Sequence, residues 1–234
     1  MAQPHLALSH PDESFVTNSC KPAVRLHELR RAAYRDDVPR KPREEAPGGY
    51  FHLAARSVDG AKVFREANDR LAFIALLHGV VQRYDWRCQS YCLMTTHFHL
   101  IVRTMRPTLS RGMQALCGTY GLRFNKRYER RGHLFGGRFM SVAITSDEHL
   151  LEAHRYVARN PQRAGLCSRP SEWLWSSYRA IVDLDAPFTF LDVDGALRVL
   201  DDRPAVAREL FRRHVEADRS RPVAPYKLAR IDGV

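Results

Sequence analysis

His97 and His99 flank Phe98 in the stretch Y-C-L-M-T-T-H-F-H-L-I-V-R-T, which runs from Tyr91 to Thr104. Apolar runs on either side of Thr95-Thr96 read as a hairpin of two strands, Trp86 to Met94 and His97 to Arg103. Side chains alternate faces along a strand, so both imidazoles point one way, about 7 Å apart, while Phe98 points the other. Two imidazoles on a rigid strand make a pincer for a divalent cation. Histidines at this spacing also occur with no ligand at all, so the pair alone leaves both readings open.

A second group lies on the segment T-S-D-E-H-L-L-E-A-H-R-Y-V-A-R-N, residues 145–160. Thr145 and Glu148 read as a capping box at the start of a helix, and Pro161 predicts its stop. At 100° per residue Tyr156 and Asn160 project within about 40° of one another. His149 and Ala153 share that face, and Leu151 and Ala158 lie opposite. If this helix packs near the hairpin, Asn160 can give an oxygen to a metal already held by His97 and His99. Two imidazoles, a neutral oxygen and open positions suit Mg²⁺ or Mn²⁺ that must still bind a phosphate oxygen. Tyr156 is then placed as a nucleophile, and its phenol, with an ordinary pKa near 10, needs a base or a cation to ionise. The alternative is that Tyr156 packs and Asn160 merely ends the helix.

The elements that must position these groups alternate regularly. Residues 50–56 read as a first strand, 68–84 as an amphipathic helix, and the hairpin follows. A long helix begins after Pro107, with Leu109, Met113, Leu116, Tyr120 and Phe124 as its apolar stripe. Gly112, Gly118 and Gly121 weaken it, so packing has to hold it. A glycine-rich turn over 132–138 leads into a strand at 139–144 and then the Tyr156 helix. Strand, helix, strand, strand, helix, strand is the ferredoxin-like (split βαβ) pattern, an α+β antiparallel sheet with helices on one face. In that layout the strand carrying His97 and His99 is central.

Charge says what such a site meets. The 234 residues hold 37 Lys and Arg against 26 Asp and Glu, a formal net charge of +11, which points to a polyanion, nucleic acid ahead of a membrane surface. Arg103, Arg111, Arg123, Lys126, Arg127, Arg130, Arg131 and Arg138 concentrate around the long helix, with Tyr120, Phe124 and Tyr128 interleaved. Arginine mixed with aromatics favours phosphate contact with base stacking over a merely solvated face. The five cysteines form no C-x-x-C pair. Cys88 and Cys92, four apart on one strand, are expected to face one side as buried thiols in a reducing cytoplasm. No secretory signal and no membrane-spanning run is visible.

With these residues assembled, the chain resembles the single-tyrosine HUH transposases, and among them the REP-associated tyrosine transposases. The resemblance rests on H-F-H within Y-C-L-M-T-T-H-F-H-L-I-V, then L-S-R-G-M-Q, G-H-L-F-G-G-R-F, Y-V-A-R-N-P-Q-R-A-G-L and P-S-E-W-L-W-S-S-Y, in the family's order. It implies an HUH-nuclease fold with His97 and His99 as metal ligands, Asn160 as the third, and Tyr156 as the nucleophile. It further implies attack on single-stranded DNA, a 5′-phosphotyrosine link and rejoining by a 3′-hydroxyl. Thr95-Thr96, where members often carry Pro-Asn or Asp-Asn, and Val157-Ala158-Arg159 before Asn160-Pro161 depart from the family's pattern. The domain spans 47–183, between a flexible arm at 1–46 and a helical extension at 184–218, with a disordered tail at 219–234. One tyrosine per chain handles one end at a time, so excision needs a homodimer or sequential turnover. A non-catalytic nucleic-acid-binding module with structural histidines, or a host-adopted enzyme with the same site, are the competing readings.

Overall fold

The structure, a computed structural model, describes residues 45–217. The arm up to residue 44 and the tail from 218 lie outside the described residues, and with them the short basic helix expected over 24–33. The elements are β1 (Tyr50–Arg56), α1 (Ala67–Tyr84), β2 (Trp86–Leu93), β3 (His97–Thr104), α2 (Leu109–Arg127), β4 (Met140–Ile144) and α3 (Asp147–Arg163). The short α4 (Tyr178–Ile181) and α5 (Val193–Leu197) then lead to α6 (Pro204–Glu216). The sheet order is β2-β3-β1-β4 with every neighbour antiparallel, so β3 is interior, as the ferredoxin-like reading requires.

Strand alternation divides the sheet chemically. Phe51, Leu53 and Ala55 of β1 and Phe98, Leu100 and Val102 of β3 join one core with Phe73 and Leu77 of α1 and Met113, Leu116, Tyr120 and Phe124 of α2. Both crossover helices therefore cover one face. The other face carries His52, Ala54, His99 and Ile101. There α3 lays Leu150, Ala153 and Val157 against Cys92, Met94, Ile101 and Ile144.

Four local expectations change. A bulge between Cys88 and Ser90 flips the second half of β2, so Cys88 joins the first core and Cys92 the second, instead of sharing a side. Ser146, not Thr145, caps α3 by accepting from His149 N at 3.2 Å. Pro161 does not stop the helix, which runs on to Arg163. Gly165, at φ +68°, closes it with Gly165 N–H to Gln162 O and Leu166 N–H to Pro161 O, a Schellman end that needs a left-handed residue. Tyr120 and Phe124, expected to stack on bases, are 2% exposed because they are the stripe that meets Phe73 and Phe98.

The C-terminal extension packs onto the domain. Residues 173–177 run beside β2, bonding Leu93 N–H to Trp175 O and Ser177 N–H to Tyr91 O. Tyr178 is buried and Trp173 and Trp175 are half-buried, under the guanidinium of Arg70. From α6, Phe211 packs edge-on against His154 of α3.

The glycines of α2 separate in role. A Cβ at Gly112 would overlap the Trp86 indole, whereas one at Gly118 would meet nothing within 4 Å. In denaturant titrations Gly112→Ala is expected to cost about 1–3 kcal/mol by overpacking. Gly118→Ala, at an exposed helix position, is expected to gain about 0.5–1 kcal/mol. Equal effects of the two would show that the close approach of Trp86 to Gly112 carries no cost.

Candidate active site

The distance question that the sequence leaves open has an answer in the packing of α3. Asn160 is 8% exposed and its Oδ1 lies 3.3 Å from His97 Nε2. The Tyr156 ring stands edge-on to His99, with centroids 5.5 Å apart. His97 and His99 are perpendicular, with centroids at 5.0 Å. All four residues singled out by spacing therefore meet, and they meet because one turn separates Tyr156 from Asn160 on the face of α3 turned to the sheet. The buried His154, which bonds Ser90 Oγ at 2.7 Å, and the apolar contacts of Ala153 and Val157 hold that face in place.

Sequence reasoning missed two members. His52 of β1 is fully buried and its Nε2 lies 3.0 Å from His99 Nδ1. In the register Ala54 is directly opposite His99 and His52 opposite Ile101, so His52 is the diagonal neighbour. The signal was its parity with Ala54 along β1, but it becomes meaningful only once the register between β1 and β3 is known. Arg163 is the second, with its guanidinium 4.9 Å from the Tyr156 ring centroid. The expected stop at Pro161 hid it; the longer helix places it two turns beyond Tyr156 and within about 20° of it.

The cations that were expected to grip DNA sit elsewhere. Arg111, Arg123, Lys126 and Arg127 belong to α2, on the far side of the sheet from His97 and His99. Arg127 pairs with Glu66, and Arg130 bonds Asn125 Oδ1 at 3.2 Å. Arg131 and Arg138 are exposed on the loop that follows α2, and Arg138 lines a cleft with Phe135 and Phe139. Arg103 is at the opposite end of β3 from His97, bonding Gly48 O and covering Tyr50.

Residues 47–160 match the family model of IS200-like transposases. Over that stretch the chain is similar to that family. Its fold is similar to that of a REP-associated tyrosine transposase solved bound to a REP hairpin, at 14% identity and a TM-score of 0.54, covering 66% of this chain and 94% of that one. A candidate transposase from Deinococcus radiodurans is similar at 15% identity and a TM-score of 0.36, over 50% of this chain and 95% of that one. No curated protein matches the sequence. Among the described residues no helix is long and apolar enough to cross a membrane.

Within the site His52, His99 and Asn160 are buried, while His97 and Tyr156 are half-exposed. His99 Nε2 is buried and has no hydrogen-bond partner among the described residues. A lone pair there, with the Nδ1 proton given to His52, is the tautomer a metal ligand needs. With Asn160 Oδ1 facing it, His97 Nε2 must donate; the opposite tautomer needs an acceptor at Nδ1, and Thr96 Oγ1 lies 3.2 Å away. Thr96, a departure from the family pattern, is thus a usable partner for a ligating His97. No three His, Cys, Asp or Glu side chains cluster as a metal site among the described residues, so a third donor has to be a neutral oxygen such as Asn160. These donors fit a hard divalent cation that keeps positions open for substrate.

Burial keeps the imidazoles neutral. Desolvation first, then the neighbouring histidines, push His52 down to about 3; His154 falls to about 3 by desolvation and then His214, and His99 is lowered for the same leading reason. These folded values lie below the unfolded value near 6.5, so the unfolded chain binds more protons between the two. Stability is therefore complete above pH 6.5 and falls as pH drops toward 3, by about 1.4 kcal/mol per unit for each such histidine. Urea midpoints measured from pH 7 to pH 5 are expected to fall. In His154→Leu the slope should be shallower by about one proton, even though the variant starts less stable; an unchanged slope would rule out a neutral His154.

Proposed function

We propose that this protein is an IS200-like transposase that cleaves and rejoins single-stranded DNA through a 5′-phosphotyrosine on Tyr156. His97, His99 and Asn160 are the residues that would hold Mg²⁺ or Mn²⁺. The observation that carries the reading is the Tyr156 ring against His99 on the same helix face whose Asn160 contacts His97. A phenol beside two imidazoles and an amide suits nucleophilic attack on a phosphodiester.

When bound, the cation polarises the scissile phosphate and offsets its charge. The chain's own groups do the rest. Tyr156 Oη attacks phosphorus and the bond to the 3′ oxygen breaks; the phenolic proton passes to water, and the departing 3′ oxygen takes a proton from water to leave as a hydroxyl. A 3′-hydroxyl attacking the phosphotyrosine reverses these steps and rejoins a strand, so no external energy source is needed. Neutral, buried His52 keeps His99 oriented by the Nδ1 contact. The solved relative's REP hairpin and the net charge of +11 support a DNA substrate bearing a hairpin. Joining two ends with one tyrosine per chain takes a homodimer or two rounds of turnover.

The test is a cross-linking assay with short hairpins of both strands, each carrying a single-stranded flank. A covalent protein–DNA adduct is expected in Mg²⁺ or Mn²⁺, absent in chelator and absent in Tyr156→Phe. His97→Ala and Asn160→Ala should retain hairpin binding and lose adduct by on the order of 10²-fold or more. Hairpin binding that is equal in chelator, with no cleavage under any metal, would instead identify a non-catalytic binding module.

A further inference from the structure

We propose that Arg163 is a further catalytic residue, a guanidinium that clamps the scissile phosphate from the Tyr156 side. This rests on the role of Tyr156 proposed above, and goes beyond it by assigning a second positive group to the phosphate. The arginines of α3 have different fates. Arg155 gives Nε to His214 O and a terminal nitrogen to Ala217 O, at 3.2 and 3.0 Å. Arg159 bonds Gln162 Oε1 and Ala217 O, at 3.1 and 3.0 Å. Both pin the end of α6 to α3. Arg163 is exposed, and among the described residues no hydrogen bond or ion pair engages its guanidinium.

Its surroundings say what would engage it. The guanidinium covers the Tyr156 ring at 4.9 Å, and its charge is among those that disfavour protonation of His99. It therefore stands on the nucleophile's side of the site. The N–H donors of an arginine fork can engage phosphate oxygens two at a time. A cation held over a tyrosine, with unspent donors and no carboxylate counter-charge, is arranged for an anion that arrives with the substrate.

The backbone makes this placement firm. Arg163 is the last residue of α3, in the turn gained beyond Pro161 and closed by Gly165. It projects on the Tyr156 face because seven residues make nearly two full turns. In the reaction, the Oη–P bond forms as the P–O3′ bond breaks, and negative charge grows on the non-bridging oxygens. Arg163 donates N–H bonds to one of these, on the side of the attacking phenol, and no further reactant is consumed. Donors already aimed at the place where charge develops act most strongly in the transition state.

Single-turnover adduct formation tests this on the full chain, with a hairpin whose scissile phosphate is a resolved phosphorothioate diastereomer. Arg163→Gln is expected to slow the all-oxygen reaction on the order of 10²–10³-fold, with the melting temperature unchanged. Hairpin affinity should stay within about threefold, because a single phosphate contact adds little to ground-state binding. Arg163→Lys should recover part of the rate, since charge returns without the fork. Wild type should slow on one diastereomer that Mn²⁺ does not rescue, and Arg163→Gln should lose that discrimination. A rate for Arg163→Gln within about threefold of wild type, with Tyr156→Phe inactive, overturns the inference and leaves the proposed chemistry standing. Equal losses in the Gln and Lys variants, with the discrimination retained, would assign Arg163 to packing on the ring and also overturn it. Adducts that persist in Tyr156→Phe would bring down the tyrosine mechanism, and the clamp with it.

Discussion

The docking of α3 onto the histidine face of the sheet is the contact on which the rest of the site depends. It is made by a small apolar patch, Leu150, Ala153 and Val157 on Cys92, Met94 and Ile101, and by the buried hydrogen bond between His154 and Ser90. Ala153 matters by its size, since a small residue at the crossing lets the helix come close to the strands. Ser90 reaches the helix only because the bulge in β2 turns it to this face. A buried hydrogen bond left half-made costs more than one made is worth, so the pair fixes where the helix lies as well as whether it lies there. Tyr156 and Asn160 inherit their positions from that docking.

The electrostatics of the two faces are complementary. On one, burial keeps His52, His99 and His154 neutral. That face presents lone pairs and a phenol. On the other, α2 and its following loop carry exposed Arg111, Arg123, Arg127, Arg131 and Arg138, of which Arg127 is paired with Glu66. The α2 cations and the histidines thus lie on opposite layers of one sheet. A nucleic acid that meets both has to pass around the sheet's edge or loops. The glycine-rich loop between α2 and β4 is tied to the end of β1, where Gly136 N–H bonds Arg56 O.

Periodicity alone determined much of this protein. The ferredoxin-like order, the central place of β3, the shared face of His97 and His99 and the shared face of Tyr156 and Asn160 all follow from periods of 2 and 3.6 and from the turns between them. These are short-range properties, carried by residue types a few positions apart. What they could not decide were events in which one segment answers another. The bulge at Gln89 separates Cys88 from Cys92. The continuation of α3 through Pro161 depends on a Schellman closure at Gly165, and the burial of Tyr120 and Phe124 depends on the sheet beneath α2. His52 and Arg163 entered the site by the same route, one through strand register and the other through helix length. Sequence spacing therefore named which residues were chemically able to act, because side-chain direction is a local consequence of backbone geometry. Only the tertiary structure decided which of them meet, because that depends on how far apart in the chain two surfaces can be and still bury each other.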